Sequence, residues 1–580
     1  MPRIAATLGD PRALTGLGAR QVVQAGPATL GFVDGEPGFA EGPWTAGPLH
    51  AVGEVVLHNR AELLAALARA GDPVAPETPD GLLLLLVYRS LGADGVKAAD
   101  GMFVMVVADG PDLVVIRDHV GARTIFTARS TTRLGGTWAA STSLRAMRRL
   151  PGLDTGLNLG AVRSFLTFAY LPGDETLLRG VHEVLPGRIV RLRADGTAHE
   201  AVFWEATEAI DEGPDEATTA GGHTATLRAL LERATSIRLP AAEPAAVLLS
   251  GGVDSSLVTA LAAKLHDQEV RTYSISFGHE LPNELAYSGL VAAHCNTRHR
   301  VLSVSGDAVA ARLADTVALL DSPVGDPLTV PNLMLAEAVA GDGMSVVLNG
   351  EGGDPVFGGP KNLPMLLYEL HRDDPSPDAR SLAYLRSYRK CYGDLPMLLT
   401  QDTLRALDTE PGPERFVAPY LSPGTMRSHL NRLLHCNLRT KGAHHILTKV
   451  ERLTAARGLQ GRAPLFDRRV IDHAFTVPPR LKLAGTDEKW ILKEAVRDLL
   501  PATIVDRPKS GMRVPVQQWL SGPLRELADD VLLGSRTSGL FDPVTIRAWL
   551  RGEGALLPRQ GGKVWLVLTL ELWLRAYDVV

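Results

Sequence analysis

The stretch Leu248-Leu249-Ser250-Gly251-Gly252-Val253-Asp254-Ser255-Ser256 decides the fold class of this chain. It continues the apolar run 245–247, which is typical of a buried strand, and it leads into residues with helical spacing of apolar side chains. The two glycines permit a tight turn that exposes backbone N–H groups between strand and helix. Those N–H groups and the helix N-terminus together form a site for an anion such as phosphate. The sequence therefore predicts a phosphate-binding strand–loop–helix unit.

Asp254 lies in the middle of this predicted anion site and would repel a phosphate group. A divalent cation between them removes the repulsion, and Mg²⁺ is the ion that carboxylate and phosphate oxygens hold together. An ordinary Gly-Gly turn is the alternative interpretation, but the full string after an apolar strand favours phosphate binding. The chain contains no GxxxxGK[ST] motif, so the loop is not a Walker A loop.

A second strand followed by a glycine-rich loop occurs at Leu348-Asn349-Gly350-Glu351-Gly352-Gly353-Asp354-Pro355. Glycines allow the backbone to approach a nucleotide closely, and Asp354 would complete the magnesium site begun by Asp254. Glu351 is then left to act as a general base toward an amine nucleophile. A solvent-facing acidic turn is the alternative, and the repetition of the strand-then-glycine pattern argues against it.

The pattern of apolar and polar segments changes along the chain. Residues 1–205 are short Val- and Ile-rich segments broken by Gly and Pro, with helical patches between them, which predicts an α+β domain of layered sheets. Residues 206–222 are acidic and small, so we expect a linker. Residues 223–580 alternate apolar strands with helices and then become mostly helical. That pattern predicts an α/β domain with a doubly wound parallel sheet and a helical extension.

Composition excludes several classes of protein. The chain is 45% apolar and 22% charged with a formal net charge of −5, which excludes general disorder and gives no basic excess for nucleic acid. Its apolar runs are too short to span a bilayer. The three cysteines, Cys295, Cys391 and Cys436, cannot build a disulfide framework and show no CxxC spacing. We therefore expect a cytoplasmic protein with reduced thiols, no membrane span and no nucleic-acid partner.

These motifs resemble the asparagine synthetase family over nearly the whole chain. The 248–256 loop is similar to the pyrophosphate loop of N-type ATP pyrophosphatases, in which a nucleophile attacks the α-phosphate. Two stretches resemble signatures of a glutaminase (Ntn-type) domain, Asp100–Phe103 and Arg117–Arg123, and a third, Leu185–Gly187, resembles its closing segment. In the synthetase half, the resembling stretches are Arg462–Asp467 and Arg507–Lys509. The resemblance implies a glutaminase-like domain followed by an ATP-pyrophosphatase domain.

The resemblance also implies the cofactors and the residues that bind them. It implies ATP and Mg²⁺, with Glu351 as the base and Lys509 as the residue that stabilises charge on the phosphates and the tetrahedral intermediate. Asp254 and Asp354 would hold the metal. By the family pattern the ATP-binding residues are Leu249, Ser250, Gly251, Gly252, Val253, Asp254, Ser255, Ser256, Phe277, Asn349 and Gly350.

The chain departs from a glutamine-dependent synthetase at one point. A glutaminase of this type uses an N-terminal cysteine as nucleophile, but residue 2 is Pro and the first cysteine is Cys295. We therefore expect an inactive glutaminase-like domain at 1–205. Two branches of the family lack that cysteine and use an amine already present in the substrate. One comprises the β-lactam and carbapenam synthetases, and the other the lasso-peptide macrolactam cyclases.

Several strings resemble the lasso-peptide branch, namely Asp321–Pro327, Glu351–Asn362, Lys441–Ile446 and Lys449–Arg452. That branch joins the N-terminal amine of a peptide to an Asp or Glu side-chain carboxylate and releases AMP and pyrophosphate. It implies a precursor peptide as substrate, with a leader peptidase and a leader-recognition protein as partners. A small-molecule lactam synthetase and a non-catalytic relative that binds a nucleotide or peptide remain the alternatives.

The first prediction concerns glutamine. Because residues 1–294 contain no cysteine, the purified protein should produce no more glutamate from glutamine than a heat-inactivated sample does. A glutaminase assay with coupled glutamate detection measures this directly. Steady glutamate production above that control would contradict the prediction.

Overall fold

The protein is described here by a computed structural model. The structure describes residues 2–132, 135–278, 284–359, 362–374, 376, 378–388, 390–422, 424, 426–508, 511–534, 539–553 and 560–579. These residues form two compact units. The first unit comprises residues 2–158, 173–205 and 579, and the second comprises 159–172 and 206–578. Residues 159–172 lie inside the range 1–205 that was expected to form the first domain, but they belong to the second unit.

The first unit consists of two antiparallel six-stranded sheets, in the orders β10-β8-β9-β1-β3-β2 and β12-β11-β7-β6-β5-β4. Its strands are β1 (Arg3–Leu8), β2 (Arg20–Ala25), β3 (Ala28–Val33), β4 (Glu41–Ala46), β5 (Leu49–Leu57), β6 (Gly101–Asp109), β7 (Asp112–Arg117), β8 (Phe126–Thr132), β9 (Gly135–Ser141), β10 (Val181–Glu183), β11 (Arg188–Leu192) and β12 (Ala198–Val202). Its helices are α1 (Arg12–Gly16), α2 (Arg60–Arg69), α3 (Asp80–Ala98) and α4 (Leu144–Met147).

The two sheets share one apolar core. Ile4, Ala6 and Leu8 alternate along β1 and belong to the same buried cluster as Val104 and Val106 of β6. Alternation with a period of two places one face of each strand in this core, as the pleat of a strand requires. The expected α+β domain of layered sheets is confirmed.

The second unit contains a five-stranded sheet in which every strand pair is parallel. The strand order is β15-β14-β13-β16-β17, so the order reverses between β13 and β16. This is a doubly wound parallel sheet, as the sequence predicted, and ligands of such sheets bind where the strand order reverses. The strands of this unit are β13 (Ala245–Leu248), β14 (Val270–Ser276), β15 (Arg298–Ser303), β16 (Val346–Leu348), β17 (Gln460–Arg462) and a separate hairpin, β18 (Leu483–Ala484) and β19 (Asp487–Glu488).

Helices make up most of the remaining second unit. The α-helices are α5 (Leu159–Phe168), α6 (Glu216–Ser236), α7 (Val253–Leu265), α8 (Leu285–His294), α9 (Gly306–Leu319), α10 (Thr329–Gly341), α11 (Gly353–Phe357), α12 (Asn362–His371), α13 (Ala379–Ser387), α14 (Leu395–Leu398), α15 (Gln401–Leu407), α16 (Ala418–Leu421), α17 (His429–Asn437), α18 (Thr448–Ala455), α19 (Arg468–Ala474), α20 (Pro479–Lys482), α21 (Trp490–Val496), α22 (Ala502–Val505), α23 (Val516–Ser521), α24 (Arg525–Leu533), α25 (Pro543–Leu550) and α26 (Gln560–Ala576). A π-helix occupies Leu438–Leu447, and short 3₁₀ turns occupy Tyr392–Asp394, Pro413–Phe416, Pro464–Phe466 and Arg497–Leu499.

Two features of these helices bear on the sequence expectations. Helix α6 begins at Glu216, inside the predicted linker 206–222, because the side chain of Asp215 caps it by accepting a hydrogen bond from Thr218 N at 2.8 Å. Among the described helices, none combines the length and the apolar character needed to cross a membrane.

The loops after β13 and β16 pack directly against each other. A Cβ atom added to Gly350 would lie closer than 3.0 Å to backbone atoms of Asp254 and Ser255, at the start of α7. A Cβ added to Gly353 would lie equally close to the Asp254 carboxylate. Only glycine allows so close an approach of one backbone to another. The second glycine-rich loop therefore lies against the first at the reversal of strand order.

The second prediction tests this packing. Gly350→Ala should lower the free energy of unfolding of the nucleotide-free protein by about 1–3 kcal/mol, because the added methyl group overpacks against backbone. Gly289→Ala is the matched control, since Gly289 lies in α8 and a Cβ there meets no atom within 4 Å. That variant should be neutral or more stable by up to about 1 kcal/mol. Urea unfolding of the three proteins measures the difference, and equal stabilities of the two variants would contradict the close packing.

Candidate active site

A cavity of about 370 Å³ opens at the carboxyl ends of the parallel strands. The structure brings most of the sequence-predicted residues together in its wall, namely Leu249, Ser250, Gly252, Val253, Asp254, Ser255, Asn349, Gly350 and Glu351. The remaining wall includes side chains of α10 and α18 that are largely apolar, such as Leu335 and Leu453. Apolar walls with a few convergent polar groups are typical of a small-molecule site.

Hydroxyl groups fix the shape of the phosphate loop. Ser250 N donates a hydrogen bond to Ser255 Oγ at 3.1 Å, and Ser255 Oγ in turn bonds to the carbonyl oxygen of Gly252 at 3.1 Å. Gly252 is the N-cap residue of α7 and has no side chain to cap the helix. The N–H groups of the first turn of this 13-residue helix therefore remain for an anionic ligand.

Lys489 joins the two carboxylates that the sequence assigned to a metal. Its ammonium lies 2.5 Å from Asp254 Oδ2 and 2.6 Å from Asp354 Oδ1, and its side chain has no exposed surface. Two carboxylates held this close repel each other unless a cation lies between them. Lys489 supplies that cation from within the chain, and sequence reasoning missed it.

The backbone of Lys489 carries a further sign of function. Lys489 adopts a left-handed conformation, with φ of 58° and ψ of 32°, at the turn between β19 and α21. A residue other than glycine is strained there, and such strain persists where the surrounding structure fixes it. In the sequence, Lys489 follows Asp487 and Glu488 and therefore looks like part of a solvated run of charges. Its burial and its left-handed backbone become visible in the structure.

The donors at this point fit a magnesium ion that also binds a nucleotide. Among the described residues, no group of three or more His, Cys, Asp or Glu side chains could hold a metal alone. Asp254 and Asp354 nevertheless share one cation position. Mg²⁺ in nucleotide sites uses one or two carboxylates and completes its coordination with phosphate oxygens and water. The pair therefore suits Mg²⁺ bound together with ATP.

Glu351 is positioned by its own loop. Asn349 Oδ1 accepts a hydrogen bond from Glu351 N at 3.0 Å, and Asn349 N donates to the carbonyl oxygen of Arg462 on β17 at 3.0 Å. The polar side chain of Asn349 thus shapes the turn that carries Glu351 into the cavity. Lys449 of α18 also lines this cavity and interacts electrostatically with Glu351.

Four predicted residues are not in the cavity wall formed by the described residues, and one of them is Asp354, which pairs with Lys489 instead. Gly251 belongs to the loop but not to the lining, and Ser256 is fully buried. Phe277 packs edge-to-face against Trp519, with ring centroids 5.6 Å apart. Phe277 follows the last residue of β14, whereas Ile275 lies within the strand, on the same face as Tyr273, and both of these residues line the cavity.

The predicted Lys509 lies outside the described residues, but Arg507 shows how its segment is held. The Arg507 guanidinium pairs with Glu284 at 2.6 Å and donates to the carbonyl oxygen of Gly251 at 3.2 Å. It also stacks over the ring of Tyr287, 3.8 Å from the centroid. Arg507 therefore ties the segment before Lys509 to the phosphate loop and to α8.

Curated proteins resemble the chain over most of its length. A Mycobacterium tuberculosis protein provisionally named as a glutamine-hydrolyzing asparagine synthetase is 28% identical over 559 residues, which cover 89% of this chain and 83% of that protein. Asparagine synthetase 1 of Bacillus subtilis is 22% identical over 557 residues, covering 89% and 84%. Carboxyethyl-arginine beta-lactam-synthase of Streptomyces clavuligerus is 28% identical over 473 residues, covering 81% and 74%.

Two family models match the chain. The glutamine amidotransferase domain model matches residues 49–204. The asparagine synthase model matches residues 226–575, which is more than half of the chain and includes both loops of the cavity. The chain therefore belongs to the asparagine synthase family and is an ATP-dependent, amide-forming enzyme of the asparagine synthetase type.

Proposed function

We propose that this enzyme is a macrolactam synthetase of the lasso-peptide type. It adenylates an Asp or Glu side-chain carboxylate of a precursor peptide and joins it to the N-terminal amine of the same peptide. One observation supports the proposal. The chain has a cavity lined by a phosphate loop and Glu351, but its first unit contains no cysteine. Because no cysteine of the first unit can release ammonia from glutamine, we propose that the amine comes with the substrate.

The cysteines of the second unit support this conclusion. Burial raises the pKa of Cys295 to about 11 and that of Cys391 and Cys436 to about 12. The thiolate is the nucleophile in cysteine chemistry. At neutral pH these three groups are therefore protonated and do not provide a substitute for an N-terminal cysteine.

The proposed reaction has two steps on one site. In the first, the N-terminus of α7 and its loop hold the β- and γ-phosphates, and the substrate carboxylate attacks the α-phosphate and expels pyrophosphate. In the second, the amine attacks the acyl carbon, Glu351 accepts its proton, and AMP leaves. When bound, Mg²⁺ held by Asp254 and Asp354 would neutralise phosphate charge.

The substrate is either a peptide or a small molecule, and one set of observations supports each. Four strings resemble the lasso-peptide branch and support a peptide substrate, namely Asp321–Pro327, Glu351–Asn362, Lys441–Ile446 and Lys449–Arg452. The similarity to the carboxyethyl-arginine beta-lactam-synthase supports a small-molecule lactam synthetase as the second candidate. The peptide proposal also includes a leader peptidase and a leader-recognition protein as partners.

The third prediction concerns the nucleotide product. With ATP, Mg²⁺ and a leader-free precursor peptide, the enzyme should release AMP and pyrophosphate, and the peptide should lose one water. Asp354→Asn should reduce turnover by about 10²-fold or more, because it removes one charge that positions the metal and Lys489. Asp402→Asn, on the surface of α15, is the matched control and should leave turnover unchanged.

Liquid chromatography of the nucleotides and mass spectrometry of the peptide measure both products. ADP as the product would contradict the phosphate-loop assignment. AMP release with a β-amino acid substrate, and none with any peptide, would favour the small-molecule alternative.

The fourth prediction separates the two steps. Adenylation needs no base, whereas ring closure must remove a proton from an amine that is mostly protonated near neutral pH. Glu351→Gln should therefore retain pyrophosphate–ATP exchange and slow macrocycle formation by about 10²-fold or more. Glu216→Gln, on the surface at the start of α6, is the matched control. Ring closure by Glu351→Gln at the wild-type rate would place the base elsewhere.

A further inference from the structure

The segment that enters α18 has an unusual backbone. Residues Leu438–Leu447 form a ten-residue π-helix, which runs directly into α18 at Thr448. π-Helical segments are rare, are mostly limited to single turns, and frequently occur at functional sites. This segment and the first turn of α18 carry buried polar side chains, among them His444, Thr448 and Lys449. None of these residues has a role in the two-step reaction as described so far.

Lys449 is the member of this group that reaches the cavity. It is 6% exposed and lines the same cavity as Glu351. Its ammonium donates a hydrogen bond to Asp326 Oδ2, its one hydrogen-bond partner in the described part of the chain. A lysine ammonium carries three N–H donors. Two donors therefore remain for a group that enters the cavity beside Glu351.

Asp326 is rigidly placed, and so is the lysine that it holds. Asp326 Oδ1 accepts a hydrogen bond from Leu328 N at 3.0 Å, and Asp326 O accepts one from Thr329 N at 3.1 Å, where α10 begins. Burial alone would raise the pKa of Asp326, but the Lys449 ammonium holds it well below its ordinary value. The carboxylate is thus a permanent anion that fixes the position of the Lys449 ammonium.

The charges around Lys449 favour an oxygen ligand over a second cation. Burial alone would lower the pKa of Lys449, but the carboxylates of Asp326 and Glu351 raise it, so the ammonium is charged. Burial and the Lys449 ammonium hold the pKa of His445 well below its usual range, so the imidazole, 3.6 Å from Asp326, is neutral. Lys449 is therefore the positive group of this cluster that faces the cavity.

The other described cations in or next to the cavity have their partners in the phosphate loop, in Asp354 and Glu284, and in the hairpin of β18 and β19. Lys489 bridges Asp254 and Asp354, and Arg507 binds Glu284 and Gly251. Lys493 pairs with Asp487. Lys449, by contrast, interacts electrostatically with Glu351, so it is the cation beside the acyl group that must lie next to Glu351 for proton transfer.

From this geometry we infer that Lys449 binds the carbonyl oxygen of the activated carboxyl group, opposite the amine that Glu351 deprotonates. The inference deepens the adenylate-forming function proposed above and rests on it. During adenylation one carboxylate oxygen bonds to the α-phosphorus as the bond to pyrophosphate breaks, and the other oxygen stays on Lys449. During ring closure the amine nitrogen bonds to the acyl carbon, negative charge develops on the oxygen held by Lys449, and the bond to AMP breaks. The proton of the amine passes to Glu351.

The fifth prediction uses a stable mimic of the acyl-adenylate, so that binding is measured without turnover. The probes are 5′-O-[N-(γ-glutamyl)sulfamoyl]adenosine, its β-aspartyl homologue and 5′-O-sulfamoyladenosine, which lacks the acyl group. In the wild-type protein at least one acyl probe should bind about 10-fold or more tightly than the probe without an acyl group, as expected for a hydrogen bond from a charged donor. Lys449→Gln should remove this increment and leave binding of AMP and of 5′-O-sulfamoyladenosine unchanged. Isothermal titration calorimetry gives all four dissociation constants.

Two further variants guard against a structural explanation. Lys449→Gln leaves the Asp326 carboxylate buried without its cation, which destabilises a protein, so the double variant Lys449→Gln with Asp326→Asn provides a neutral hydrogen-bonded pair. It should show the same loss of the increment while still binding 5′-O-sulfamoyladenosine. Lys449→Arg keeps the charge and should recover part of the increment. Lys264→Gln, an exposed lysine at the end of α7, is the matched control and should behave as wild type.

The outcomes distinguish this inference from the function on which it rests. Retention of the full increment in the double variant would overturn the role of Lys449, as would an acyl group that adds no affinity in the wild-type protein. Equal weakening of AMP binding by Lys449→Gln would also overturn it, because Lys449 would then be a phosphate ligand. If the wild-type protein binds neither AMP nor any sulfamoyl probe, the adenylate-forming function itself fails.

Discussion

The ammonium of Lys489 between Asp254 and Asp354 is the interaction on which the site depends. The two carboxylates begin α7 and α11, and the loops before those helices pack so closely that Gly350 has no room for a Cβ. Without a cation, like charges at this distance would push the loops apart. With Lys489 at 2.5 and 2.6 Å from the two carboxylates, a cation from within the chain holds the two loops together. The left-handed backbone of Lys489 is the strain that this arrangement retains.

Local sequence patterns predict the parts of the fold whose signals are local. The apolar run before Ser250 became β13, the apolar spacing after it became α7, and the run before Asn349 became β16. Because parallel strands end at one edge of a sheet, the two glycine-rich loops had to meet if both strands were central neighbours. Nine of the predicted site residues accordingly line one cavity.

The features that the sequence did not predict depend on tertiary contacts. Strand β17 is only Gln460–Arg462, and a three-residue polar segment has no strand pattern of its own. In the sequence Lys489 looks like an exposed lysine, because the residues that bury it, among them Asp254 and Asp354, lie far away in the chain. The π-helix at Leu438–Leu447 contains Gly442 and two histidines, which lower the propensity for an α-helix but do not specify a π-helix. The family pattern predicted Phe277 in the cavity wall, but Ile275, two positions earlier, lines the cavity instead.

The arrangement of charges suggests how one scaffold serves different amines. The cations of the phosphate loop belong to the turn between β19 and α21 and to the segment of Arg507, whereas Lys449 belongs to α18 and its partner Asp326 to the loop before α10. Adenylation is the same chemistry for every carboxylate, so its groups can stay fixed while the amine varies. The second step must place a particular amine between Glu351 and the acyl carbon, and proximity supplies most of its rate. A change of amine from free ammonia to one carried by the substrate therefore need not alter the loops after β13 and β16, whose groups serve adenylation.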